Sequence, residues 1–189
     1  MRTYHDPSAG MNARRRLLWL AFLTAFAGAL YLIETALPRP LPFLRLGLAN
    51  IPLLVLVATR NWRGAVVVAL GKVALGGALS GMLFSPTTLL SLVGTTLALL
   101  VMWLASARRL GLTLAGVSVA GAVAHNMGQL GMVWLVLVHS TRIFYLTPLL
   151  ILLGIGTGLA TGWLAHAFLE ESERHELARR TTSSSNGVS

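Results

Sequence analysis

The chain has 189 residues, 55% apolar and 11% charged, with a formal net charge of +9 and a mean hydropathy of +0.72. That charged share is well below the ~25% of soluble domains. There is no cysteine, which excludes disulfides, iron–sulfur clusters, covalent haem and thiol catalysis. The five histidines do not pair at ligand spacing, so neither a protein-built metal site nor a cofactor is expected. The charges sit in short clusters between long uncharged runs, the pattern of a multi-span membrane protein in a lipid bilayer. Arginines placed at the ends of apolar runs anchor helices, which argues against a nucleic-acid partner despite the basic charge.

Residues 1–13 are polar and mixed and read as a disordered tail. Arg14, Arg15 and Arg16 precede a first transmembrane helix over about 17–37. The stretch LPRPLPFLRLGLANIP, Leu37 to Pro52, interrupts the apolar pattern with four prolines and two arginines. Pro38, Pro40 and Pro42 alternate, so no continuous helix passes through them, and the segment reads as an extended loop. If the chain binds a small molecule, this loop is the first candidate for a lid. A second span is expected over about 45–59, short for the ~20 residues a span needs. Pro52 falls in its first turn, where a missing N–H costs little.

Arg60 and Arg63 bracket a tight turn, and a third span follows over about 64–81. From Val73 to Ala107 there are 35 uncharged residues, too many for one helix. The break is GMLFSPTT, and Pro86 starts a fourth span over about 86–106. The fifth runs over about 113–138 and the sixth over about 143–169. The tail 170–189 is charged, then Ser/Thr-rich, and reads as a short helical extension that becomes disordered. The expected fold is therefore all-α, a transmembrane domain of six helices over 14–169.

Six spans put both termini on one side. With that side cytoplasmic, eleven basic residues lie inside: Arg2, Arg14, Arg15, Arg16, Arg60, Arg63, Arg108, Arg109, Arg174, Arg179 and Arg180. Three lie outside, Arg39, Arg45 and Arg142. This bias follows the positive-inside rule and places the protein in the cell membrane with cytoplasmic termini. A re-entrant second segment would move Arg60 and Arg63 outside and spoil it.

Lys72 is the only lysine and sits mid-helix. Such a charge faces a cavity or a partner, either as a structural ion pair, with Glu34 as one candidate, or as a ligand for an anionic substrate. Glu34 is the only acid within a span, about one turn from the outer surface, where solvation or pairing with Arg39 or Arg45 is the plainer reading. Asn50 lies just beyond the lid. His125 and Gln129 share a face at i, i+4, and Asn126 neighbours Gln129 at i, i+3. These three are either hydrogen-bonding glue between helices or a pocket lining. Together Glu34, Asn50, Lys72, His125, Asn126 and Gln129 form the candidate binding set. Two rows of small residues, Ala21, Ala25 and Ala29 in the first helix and Gly154, Gly158 and Gly162 in the last, permit close backbone approach. At least one is expected to pack within the chain; the other is free to dock a partner. No glycine loop of the nucleotide-binding kind occurs, and Asp6 is the only aspartate, so neither ATP hydrolysis nor carboxylate-held magnesium diphosphate chemistry is expected.

The blocks LPRPLPFLRLGLANIP, GKVALGGALSGMLFSPTTLLSLVG (71–94) and VSVAGAVAHNMGQL (117–130) resemble the Gx transporter family, also labelled heptaprenyl diphosphate synthase component I. The resemblance covers about residues 17–169. That family looks like the S-components of energy-coupling-factor transporters, six-helix membrane proteins that bind a small-molecule substrate. The resemblance implies a non-enzymatic substrate-binding protein coupled to ATPases through a transmembrane subunit. It also implies that Ala21, Ala25 and Ala29, similar in spacing and place, dock that subunit. The prenyl-synthase label implies instead a non-catalytic subunit of an isoprenoid or quinone pathway, since no aspartate-rich motif is present. A third implication is membrane electron transfer linked to flavins or quinones.

Overall fold

The computed structural model describes residues 4, 6–36, 47–107 and 110–185, with backbone alone from 175 onward. The candidate lid at 38–46, with Arg39 and Arg45, lies outside the described residues, as do Arg2, Arg108 and Arg109.

Every regular element among the described residues is helical. Helix α1 spans Ala13–Ala36 and begins where the Asn12 side chain accepts the Arg15 N–H at 3.0 Å. The three arginines are thus its first turn rather than its preface. A tight turn, Leu48–Asn50, runs directly into α2, Ile51–Ala58, with Pro52 in the first helical turn. Helix α3 spans Trp62–Leu79, capped by Asn61, which accepts the Gly64 N–H. Helix α4, Pro86–Ala105, opens on its proline. Helix α5 covers Leu114–Val133 and continues as a wider turn, Trp134–Val138, that His139 ends with φ 50°. A single-residue step and the turn Thr141–Leu146 lead into α6, Thr147–Ser185.

Among the described residues, five helices are long and apolar enough to cross a membrane. The sixth element, Leu48–Ala58, is only ~16 Å long at 1.5 Å per residue, about half the hydrocarbon core. Its place in the bundle explains how it serves. Leu20 faces Gly64, Thr24 faces Gly71, Gly28 faces Leu75 and Tyr31 faces Gly76, so α1 and α3 run parallel. The chain between them must return to its starting side. It does: the start of the short element is bonded to Glu34 near the end of α1, and Asn61, in the turn that follows it, is bonded to Ser8 ahead of α1. The later pairs are antiparallel, with Gly94 on His125 and Gly121 on Met102 between α4 and α5, and Gly154 on Val123 and Gly162 on Ala115 between α5 and α6. Among the described residues the chain therefore runs back and forth on five long helices, with the segment ending in α2 as the return between α1 and α3.

Helix α2 is the centre of the bundle. Every residue from Pro52 to Ala58 is buried, as expected of a helix apolar all round. Around it stand Leu23 and Ala27 of α1, Ala65 and Val68 of α3, Ala98 and Met102 of α4, Val117 of α5, and Ala165 and Leu169 of α6. The outer helices close the ring through Trp19 of α1 stacked on Phe168 of α6 at 6.5 Å. Their outward faces are apolar, with Leu17, Phe22, Leu70, Leu100, Trp103, Leu152 and Trp163 all exposed. A shell of this size around a polar-containing interior suits lipid rather than water. Because lipid is as apolar as leucine, dispersion in close packing holds the ring to α2.

One end of the bundle gathers the N-terminal segment, the Arg60 turn and the end of the sixth span. Tyr4 meets His166 edge-on at 6.2 Å, and Trp62 meets Trp103 edge-on at 6.4 Å. Composition alone reads 1–13 as disordered, yet Tyr4 and Ser8 are buried here. Asp6 makes the difference, accepting the Ser8 N–H at 2.9 Å and its hydroxyl at 2.8 Å to shape the turn. At the other terminus α6 continues to Ser185, so the helical extension expected beyond 169 is longer than the charged tail alone suggests.

Candidate functional site

Three of the six candidate residues converge where α1, α3 and the start of α2 meet. Glu34 is buried, 3% exposed, which corrects the reading of a solvated interfacial acid. Its carboxylate accepts the backbone N–H groups of Leu48 and, at 3.3 Å, Ala49. These belong to the first turn of the α2 element, whose N–H groups have no partner within the helix. An anionic carboxylate there also meets the positive end of the helix dipole. Gly47, at φ 86°, allows the reversal that aims those N–H groups at Glu34.

Asn50, two residues on, is 4% exposed. Its Oδ1 accepts a hydrogen bond from Nζ of Lys72 on α3. Its Nδ2 is buried with no hydrogen-bond partner among the described residues. Lys72 itself is 2% exposed. Glu34 and Lys72, a full helix apart along the chain, are thus linked through the 48–50 turn. That turn is the piece sequence spacing could not supply, because its position depends on the chain doubling back. Tyr31, also buried, lays its ring on Gly76 one turn beyond Lys72. No sequence signal marks it, since a lone tyrosine near a helix end commonly faces the headgroups.

The α5 set divides. His125 and Gln129 are buried and bonded to each other, Nε2 to Nε2, at 3.0 Å. They press on Gly94 of α4, where a Cβ would lie 3.0 Å from His125 Nδ1 and Gln129 Cγ. Asn126 turns to α6 and donates to the Leu150 carbonyl at 2.9 Å, an inter-helix tie. A second tie, Ser118 to Thr161 at 2.7 Å, joins the same two helices. Helix α4 adds a buried hydroxyl row that sequence reading missed: Thr88, Ser91 and Thr95. Their spacing, i, i+3, i+7, was the available signal. The Thr95 hydroxyl has no hydrogen-bond partner among the described residues.

The two small-residue rows have opposite surroundings. A Cβ on Gly158 would lie 2.5 Å from Val119 Cα, and one on Gly162 would lie 2.9 Å from Ala115 Cα. The glycine row is therefore the α5–α6 contact. Ala21, Ala25 and Ala29 are all exposed. Beside them Phe22 and Phe26 stack at 6.4 Å, also exposed. Among the described residues no three His, Asp or Glu side chains gather to hold a metal ion.

A family model described as heptaprenyl diphosphate synthase component I matches residues 23–168. The chain belongs to that family. The match runs from α1 to the packed part of α6, so it takes in every candidate binding residue of the component I chain and most of the alanine row. No curated protein and no solved structure matches it.

Proposed function

We propose that this component I family member is a non-catalytic integral membrane subunit that binds a small anionic molecule. The site is the Glu34, Asn50 and Lys72 cluster, and His125, Gln129 and Thr95 are further buried polar groups of the bundle that the bound molecule could use. The observation that carries this reading is the buried Nδ2 of Asn50, beside Lys72, with no partner among the described residues. Buried donors are almost always matched, and an unmatched one next to an ammonium suits an incoming carboxylate or phosphate oxygen. Two polar side chains from different elements, positioned by a carboxylate on a third, form a site ordered in advance of binding.

The exposed alanine row supports a docking role. Small side chains let another helix approach closely, and among the described residues no helix covers them. In the S-component-like reading the docked partner is a transmembrane coupling subunit with ATPases, and the bound molecule is taken up. The family description favours a second reading, in which the partner is a prenyl synthase whose own carboxylates hold the diphosphate.

The deciding experiment pairs Lys72→Met with Lys72→Arg, measuring thermal stability in detergent and, by native mass spectrometry, the ligand retained on purification. The reading expects Lys72→Met to keep the fold and lose the ligand, while Lys72→Arg keeps part of it. A sharp loss of stability with the ligand retained would make Lys72 a structural partner of Asn50 and displace the site. Co-purification separates the two partner classes: an ATPase-linked subunit supports transport, and an aspartate-rich synthase supports the pathway subunit.

A further inference from the structure

A second site lies on the outside of the bundle, between α3 and α4, at the end that carries the Arg60 turn. Two hollows meet there. One, about 250 Å³, is lined by Arg60, Trp62, Trp103, Leu104, Ser106 and Ala107. The other, about 300 Å³, continues from the same two tryptophans along Val66, Thr96, Leu99 and Leu100. Together they make one groove with a cationic and hydroxyl-bearing mouth, an edge-on tryptophan pair and an apolar run. From Ser106 to Thr96 the run is ~15 Å long at 1.5 Å per residue. Trp62 and Leu99 at its back pack on the buried core, while Val66, Leu100 and Trp103 along it are exposed on the outer face of the bundle.

Arg60 supplies a second, independent observation. Its φ is 59°, a backbone state at the end of a helix that glycine normally fills. Keeping a long cationic side chain there is a strained choice, and strain of this kind points to function. Arg60 is also exposed, so it does not serve the core.

From these we infer that the α3–α4 groove retains one anionic phospholipid, its phosphate on Arg60 and one acyl chain along Val66 and Leu100. The charge of the mouth suits an anionic head, and a tryptophan pair beside the Arg60 turn, at the ends of α3 and α4, suits the headgroup region that such rings favour. The open side and the length of the apolar run suit a chain entering from the bilayer. A zwitterionic lipid would fit the same run but gain less from Arg60.

The test uses the full chain in mild detergent, titrated with phosphatidylglycerol and phosphatidylcholine of identical chains and followed by native mass spectrometry. The wild type should retain phosphatidylglycerol about fivefold better. Arg60→Gly suits the backbone angle, so its melting temperature should hold or rise while the preference disappears. Val66→Phe, at a half-exposed lipid-side position, should weaken retention of both lipids alike. Equal retention by the wild type, or a preference that survives Arg60→Gly, would overturn the inference. Displacement by inorganic phosphate alone would reduce the site to an anion contact, and displacement by a polyprenyl diphosphate at far lower concentration would give the groove a different occupant.

Discussion

Asn61 donates from Nδ2 to the hydroxyl of Ser8 at 3.1 Å, across 53 residues of chain. The bond holds the α2–α3 turn against the segment before α1, and it places Arg60 and Arg63 at the same end as the N-terminal residues. Since Trp19 also stacks on Phe168, the end of the sixth span is there too. The arginine-rich end should face the cytoplasm. A reporter fused after Ser189 should be active only as a cytoplasmic fusion, and one inserted at the 60–61 turn should behave identically. Activity on the outer side at either point would overturn the orientation.

Glu34 should be worth more to the fold than an exposed acid. Glu34→Ala leaves the Leu48 and Ala49 N–H groups without their acceptor, and each orphaned buried donor costs about 1–3 kcal/mol. Glu34→Gln retains an acceptor oxygen and should lose less, about 1 kcal/mol. Thermal denaturation in detergent reads both. Equal effects for the two variants would show that the charge, rather than the hydrogen bonds, is what matters at this position.

The glycine row should tolerate nothing larger. Gly158→Leu places side-chain atoms against the Val119 backbone, which cannot swing aside as a side chain could. Overpacking of this type costs about 1–3 kcal/mol or more, so the melting temperature should fall markedly. Gly156, with nothing within 4 Å of a Cβ, is the control: Gly156→Ala should be neutral or slightly stabilising, because glycine is a poor helix former.

The alanine row should respond in the reverse sense. Ala25→Leu adds bulk on an exposed face, so the isolated chain should melt as the wild type does. Its association with a partner subunit should be lost, because the close approach is blocked. Unfolding of the lone chain would instead assign the row to packing within it.

Much of this architecture was legible in the sequence because lipid imposes a plain code. Long uncharged runs, proline at helix starts and arginine clusters located the five long helices to within a few residues, apart from the C-terminal end of α6. The sequence also singled out Lys72, Glu34 and Asn50, since polar groups in apolar runs are conspicuous. What it could not convey was their convergence. That depends on the turn Leu48–Asn50 folding back beneath the end of α1, a tertiary relationship with no periodicity of its own. Asn126 was misleading for a related reason: sequence spacing puts it beside Gln129, but one step around the helix aims it at α6 instead. The hydroxyl row of α4 went unread because threonine and serine often bond their own helix backbone, as Thr96 does to Leu92 at 2.9 Å.

The enclosed position of α2 also constrains the order in which the protein can be made. At eight residues, or eleven with the turn before it, it is too short to rest in a bilayer alone, and its tight turn into α3 means the two enter together as a hairpin. Its ring of neighbours is complete only once Ala165 and Leu169 have been synthesised, the last buried residues among those described. Until then one side of the central helix faces lipid or the insertion machinery. The stacking of Phe168 on Trp19, which joins the last helix to the first, can form only when synthesis has reached the end of the bundle.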